Sequence, residues 1–408
     1  MDRTAEAYVK LVLALGRHDA DYVDAYYGPP AWKAEAASAN KPLDAIRASA
    51  SSLVGELETL RPAGDDPLVP MRHRYQLRQL RALLGRLDVL AGRRMSFDEE
   101  SRVLYDAVAP THTEEHFQEL LESLERELPG EGPLIERYDA FRKDFVIPAD
   151  KLDAVFSAAI EESRTRTRRH VALPPGETFT VEYVKNKPWS GYNWYQGGFR
   201  SLIQVNTDLP VHVDRAVDLA AHEGYPGHHV YNLLLEKHLV KDRGWVEFTA
   251  YPLFSPQSLV AEGSANYGIE VGFPAGERLR FEMEALFPIA GLDPSRAEAY
   301  HRVHSLTERL SYAGNEAARR YLEGKIDARA AAEWLTRYAL MSPARAEQRV
   351  RFFDKYRSYV VNYNLGKDLV RRYVEAKGGT ADRPERRWQV FEELLSSPRL
   401  PSDLAEAR

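Results

Sequence analysis

The chain has 408 residues, 44% of them hydrophobic, which is ample for a large buried core. Its 55 basic and 61 acidic residues are interspersed and leave a net charge of −6, which argues against a nucleic-acid-binding stripe. There are no cysteines, so disulfides, iron–sulfur clusters, thiolate zinc sites and a cysteine nucleophile are excluded; any metal must be held by His, Asp or Glu.

The opening MDRTAEAYVKLVLALGRHDADYV reads as an amphipathic helix around the apolar run Val9 to Leu15. It shows neither the basic leader nor the cleavage site of a signal peptide, and no stretch approaches the ~18 apolar residues of a membrane span. The expected compartment is the cytoplasm, with neither nucleic acid nor membrane as partner. Residues 1–172 read as an N-terminal helical region. Leu80, Leu83, Leu84, Leu87 and Leu90 mark one buried face, Ser96 and Glu99 fit a capping box, and a long helix starts near Pro148. The texture changes at residues 173–210, where Phe179, Val181 and Tyr183 alternate with polar neighbours and Gly197-Gly198 precedes FRSLIQVN. These features predict one small antiparallel sheet, with FRSLIQVN either an edge strand able to pair with an extended peptide or an ordinary internal strand. Helices follow at about 211–240, 256–272, 295–323, 326–340, 343–376 with a break near Gly366, and 383–396. The expected fold class is mainly α with one small sheet, residues 173–408 forming the catalytic region and a cleft lying between it and the first.

The segment AAHEGYPGHHVYNLL, residues 221–235, carries the chemistry. His222-Glu223 opens like H-E-x-x-H, in which two histidines four apart on a helix face bind zinc and the glutamate serves as base. Here Pro226 occupies the second histidine position. On a straight helix His228 lies about 120° off the face of His222 and His229 lies ~10 Å along the axis, so neither could share a metal with it. Pro226 cannot continue a regular turn, and Gly224 and Gly227 permit a loop-out. Extruding about two residues brings His228 back into register with His222; His228 is therefore the preferred ligand, with His229 the alternative and otherwise behind the site. The segment QSLVAEGSANYGIEVGF offers Glu262 as third ligand, with Asn266 one turn on to orient a histidine ligand and Glu270 as a weaker candidate.

His222-Glu223 with Glu262 in an E-x-x-x-N setting resembles the gluzincin metallopeptidases. The longer HEGYPGHH resembles the H-E-x-x-P-G-H-H signature of the bacterial domain of unknown function 885 family, usually grouped with those peptidases. YQGGFRSLIQVN, AEGSANY, YNLGKDLVRR and YVDAYYGPPAW extend the likeness over most of the chain, densely from about 180 to 372. The resemblance implies a zincin-like fold, Zn2+ held by His222, His228 and Glu262, Glu223 as general base, and a peptide or small amide as substrate. A tyrosine or histidine commonly stabilises the oxyanion in such enzymes. Of Tyr356, Tyr359 and Tyr363, the place of Tyr363 in the resembling Y-x-x-G segment makes it the choice.

Competing features read differently. HTEEH, His112 to His116, matches an inverted zinc motif but sits in a glutamate-rich helix start, with Thr111 and Glu114 spaced as a capping box. His301 and His304 suit packing or a peripheral substrate contact. Arg345, Arg349 and Arg351 suit a solvated helix face, or else a substrate carboxylate. The function expected is a zinc-dependent hydrolase, most simply a peptidase. The alternatives are a catalytically silent scaffold or binding protein with a structural metal site, and a metal hydrolase acting on non-peptide amides or esters.

Overall fold

The computed structural model describes residues 1–187 and 189–406. It is 66% helical, so side chains on packed helix faces supply most of the core. One buried cluster runs from Tyr8 through Leu83, Tyr231 and Leu259 to Leu404, so the N-terminal helices and the region after residue 173 share it. A second cluster, including Phe145, Phe156, Val217, Phe287 and Tyr300, lies under the start of the histidine-bearing helix. No helix among the described residues is long and apolar enough to cross a membrane.

The strands are β1 (Val23–Tyr26), β2 (Thr178–Val184), β3 (Gly191–Gly197), β4 (Arg200–Asn206) and β5 (Ala250–Pro252). They form two sheets where the sequence predicts one. β1 pairs antiparallel with β5, drawing the N-terminal region onto the segment just ahead of Glu262. The larger sheet has the order β2-β4-β3 and is mixed: β2 runs parallel to β4, and β3 antiparallel to it. β3 and β4 form a tight hairpin whose turn residues Gly198 and Phe199 both have φ of 62°, the sense that matches strand twist. Consequently FRSLIQVN, the candidate edge strand, is bonded on both sides. The edge beside the histidine helix is β3.

Three helix boundaries also differ from the pattern. The stretch 295–323 is two helices, Ala297–Glu308 and Ala313–Leu322. The stretch 343–376 breaks at Arg357 (φ 51°) rather than at Gly366, giving helices Pro343–Tyr356 and Val361–Ala376. Gly366 instead lets helix Val361–Ala376 cross helix Pro256–Gly272 at backbone contact: a Cβ on Gly263 would lie 2.4 Å from the carbonyl carbon of Gly366. The cap before the HTEEH helix is Thr113, which accepts from the His116 N–H, and not Thr111; Ser96 caps its helix as the sequence predicts.

Candidate metal centre

The histidine segment does not run as a straight helix. A regular turn at Asp214–Leu219 widens into a π-helical turn at Ala220–Gly224, in which the Tyr225 N–H bonds the Ala220 carbonyl. The chain then turns out through a cis Tyr225–Pro226 peptide and re-enters a helix at His228–Leu235. The wide turn and the extruded pair together absorb the two-residue excess over H-E-x-x-H. Gly227 is indispensable to this path, because a Cβ there would sit 1.9 Å from the His222 carbonyl oxygen. Pro226 packs on the glycine side of helix Pro256–Gly272, where a Cβ on Gly268 or Gly272 would come within 3.3 or 3.4 Å of its ring. Asn193 of β3 donates to the Glu223 carbonyl at 2.7 Å, tying the wide turn to the sheet edge.

The result brings His222, His228 and Glu262 together. The two Nε2 atoms are 3.2 Å apart, and Glu262 Oε2 lies 3.3 Å from His222 Nε2 and 3.7 Å from His228 Nε2. All three side chains are 10 to 15% exposed, and Glu262 Oε2 is buried without a hydrogen-bond partner. Tetrahedral zinc with bonds near 2.1 Å requires ligand atoms about 3.4 Å apart, so this donor set fits the ion that the sequence implies. Burial opposes charge on His228, but the carboxylates of Glu262, Glu223 and Asp24 outweigh it and raise its pKa to about 9. Glu262 is held well below the ordinary carboxylate range despite its burial, because both imidazoles face it.

Around this triangle the side chains fall into distinct roles. Tyr359 donates to Glu262 Oε1 at 2.8 Å and fixes the carboxylate. Tyr363 stands edge-to-face on Tyr359, with ring centroids 5.8 Å apart, and burial with the nearby Glu262 and Glu223 carboxylates raises its hydroxyl pKa well above normal. Glu223 is buried against Gly191, where a Cβ would lie 3.0 Å from its Oε1. Asp24, from β1, accepts a hydrogen bond from Tyr192 of β3, and burial pushes it up to about 6. Asp24, Tyr192 and the Tyr359–Glu262 bond carry no site signal in the chain beyond the segment YVDAYYGPPAW, which contains Asp24.

His229 faces the other way. It is fully buried, with Nδ1 2.8 Å from Ser201 Oγ and Nε2 3.2 Å from Glu177 Oε2. Asn266 does not touch a histidine: its amide donates to the carbonyls of Glu262 and Tyr363, clamping the two crossing helices. Glu270 pairs with Lys367 and Arg371. His301 bonds Glu282 at 2.6 Å. His304 stands near Asp214 and Asp218 in a second possible ligand group, but Tyr300 and Arg278 already engage those carboxylates. The His112 and His116 rings stack on each other at the helix start, 4.5 Å apart. Arg345 and Arg349 share one face of helix Pro343–Tyr356, whereas Arg351 is exposed and lines a separate cavity between that helix and Ala328–Tyr338.

The fold is similar to that of a candidate lipoprotein from Colwellia psychrerythraea, with a TM-score of 0.54 and 14% identity over 91% of this chain and 70% of that one. A candidate lipoprotein of unknown function from Shewanella oneidensis aligns with a TM-score of 0.43 and 13% identity, over 89% of this chain and 76% of that one. No family model and no curated protein matches the chain.

Proposed function

We propose that the chain is a zinc-dependent hydrolase of zincin-like architecture, acting as a peptidase. The observation that carries this reading is the convergence of two imidazole nitrogens and an unpartnered carboxylate oxygen at 3.2, 3.3 and 3.7 Å. Left without an ion, Glu262 Oε2 has only the two imidazoles, at 3.3 and 3.7 Å and without a well-formed hydrogen bond, to offset its burial. Zinc held there supplies Lewis acidity toward water and the scissile carbonyl. Glu223 takes the proton from the attacking water and hands it to the departing nitrogen as the C–N bond breaks and the C–O bond forms. Tyr363, kept protonated by its surroundings, donates to the oxyanion that develops on the carbonyl oxygen. Tyr359 positions Glu262. The edge of β3, beside Glu223, offers backbone groups to an extended substrate, in place of β4, which is internal.

Metal analysis of protein purified without added zinc, followed by zinc titration, tests the reading. The expected result is about one equivalent per chain, together with chelator-sensitive cleavage of a mixed peptide library. Failure to take up zinc overturns it. Zinc uptake with a raised melting temperature but no cleavage of any peptide or ester identifies a silent scaffold instead.

A further inference from the structure

Among the described residues, the buried arginines meet carboxylates, except Arg387, which donates to the Tyr267 hydroxyl. Arg72 meets Glu247, Arg86 meets Asp19, Arg278 meets Asp218 and Glu282, and Arg319 meets Glu316. Arg349 breaks the pattern. Its Nε is buried with no hydrogen-bond partner, and its guanidinium lies on aromatic rings alone, 4.4 Å from the centroid of Phe352 and 5.7 Å from those of Phe353 and Tyr363. A guanidinium nitrogen buried without an acceptor is destabilising, and this one belongs to a side chain lying against the ring of the tyrosine assigned to the oxyanion.

Arg349 is not isolated. Arg345 sits one turn earlier on the same face and is open to solvent. Arg215, ion-paired with Asp218 at 3.2 Å, also donates to Ser190 Oγ at 3.2 Å, next to the Gly191 that lies against Glu223. Burial, reinforced by Arg142, Arg345 and Arg215 against the single carboxylate of Asp214, pushes His212 down to about 4, the mark of a positive local field. Asp214, bonded by Tyr300, and Asp218, shared by Arg278 and Arg215, offset part of that charge. Among the described residues, neither Arg345 nor Arg349 is paired with a carboxylate.

Arg349 lies against Tyr363, and Arg215, through Ser190 and Gly191, lies beside Glu223, which on the hydrolase reading returns its proton to the leaving nitrogen. A planar fork of N–H donors there matches a carboxylate better than any neutral group. We infer that Arg349, with Arg345 one turn away on the same helix face, receives the free carboxylate of the leaving fragment, so that the substrates are peptides or acyl amino acids with an unblocked carboxyl end. This deepens the hydrolase reading and rests on it for the identity of the leaving fragment.

Binding separates the two claims. Zinc-loaded E223Q protein is immobilised and exposed to equimolar N-acetylated tripeptides, supplied as C-terminal acids and as the matching C-terminal amides, and retention is measured by mass spectrometry. The acids should be retained at least about tenfold over the amides. R349M, in the E223Q background, should reduce the preference below about twofold, R349K should leave an intermediate value because it keeps charge without the fork, and R351M should leave it unchanged. R345M, at the solvent-open position, serves where R349M does not fold. Equal retention of acids and amides, or no retention of acids, overturns the carboxylate site even if the wild type cleaves peptides. A tenfold acid preference in a protein that cleaves nothing supports the site and counts against the hydrolase reading.

Discussion

His228 and His229 are neighbours in sequence on one helical turn, yet the fold uses them in opposite ways. His229 enters a closed network: Glu177 Oε2 and Ser201 Oγ hold its two nitrogens, Tyr225 donates to the same Glu177 at 2.6 Å, and Arg164 and Arg168 bind the other carboxylate oxygen. His228 instead points its Nε2 at another imidazole and at a carboxylate oxygen with no hydrogen bond. The closed network stabilises the fold by itself. The open one leaves a carboxylate oxygen without a hydrogen bond, and that difference, more than the presence of histidine, is what the metal-site reading rests on.

Four measurements press on this contrast, beginning with the largest effect. Glu223→Gln should lower turnover by about 10²–10⁴-fold while zinc content stays unchanged; loss of both together would mean that Glu223 holds the site together. His228→Ala should reduce bound zinc to background, whereas His229→Ala should keep its zinc and lose roughly 1–3 kcal/mol of stability, as measured by chemical denaturation. Equal zinc loss in both variants would erase the distinction.

A third test reads the closed network through pH. Burial alone would raise Glu177, but His229, Tyr225 and Arg164 bring it from 4.5 down to about 2. A group depressed on folding binds more protons unfolded, so its contribution is complete above about pH 4.5 and is lost as the pH falls toward about 2. The shift corresponds to about 3 kcal/mol, and Glu177→Gln should flatten the stability–pH curve across that window. A fourth test is Gly227→Ala, which should cost about 3 kcal/mol or more, because the added Cβ meets main-chain atoms of Ala221 and His222. A loss of zinc affinity should accompany it, because the added methyl group drives His222 and His228 apart; unchanged zinc affinity would show that the extruded turn is not what sets the register.

Much of this centre was legible in the chain. Pro226 and its glycines predicted a loop-out, and the structure supplies a wide turn and a cis peptide that bring His228 beside His222. Glu262 was placed by its helix and its neighbours. What escaped reading came from long-range pairing: Asp24 approaches the centre because β1 pairs with β5, more than two hundred residues away. The partner of His229, Glu177, lies 52 residues upstream in a turn whose composition says nothing of histidine. Strand order was hidden for the same reason. β4 alternates as an edge strand would, and only its pairing with β2 makes it central. Gly366 read as a helix breaker because a lone glycine signals lost propensity and reveals nothing of a backbone pressed against it.

That crossing has a mechanical consequence. Where Gly263 meets Gly366, no side chain lies between the helix that carries Glu262 and the helix that carries Tyr363. The spacing of Glu262 and Tyr363 is therefore gauged by two bare main chains at that crossing. The surrounding core can exchange one apolar side chain for another without altering that gauge. A single methyl group at either glycine would reset it.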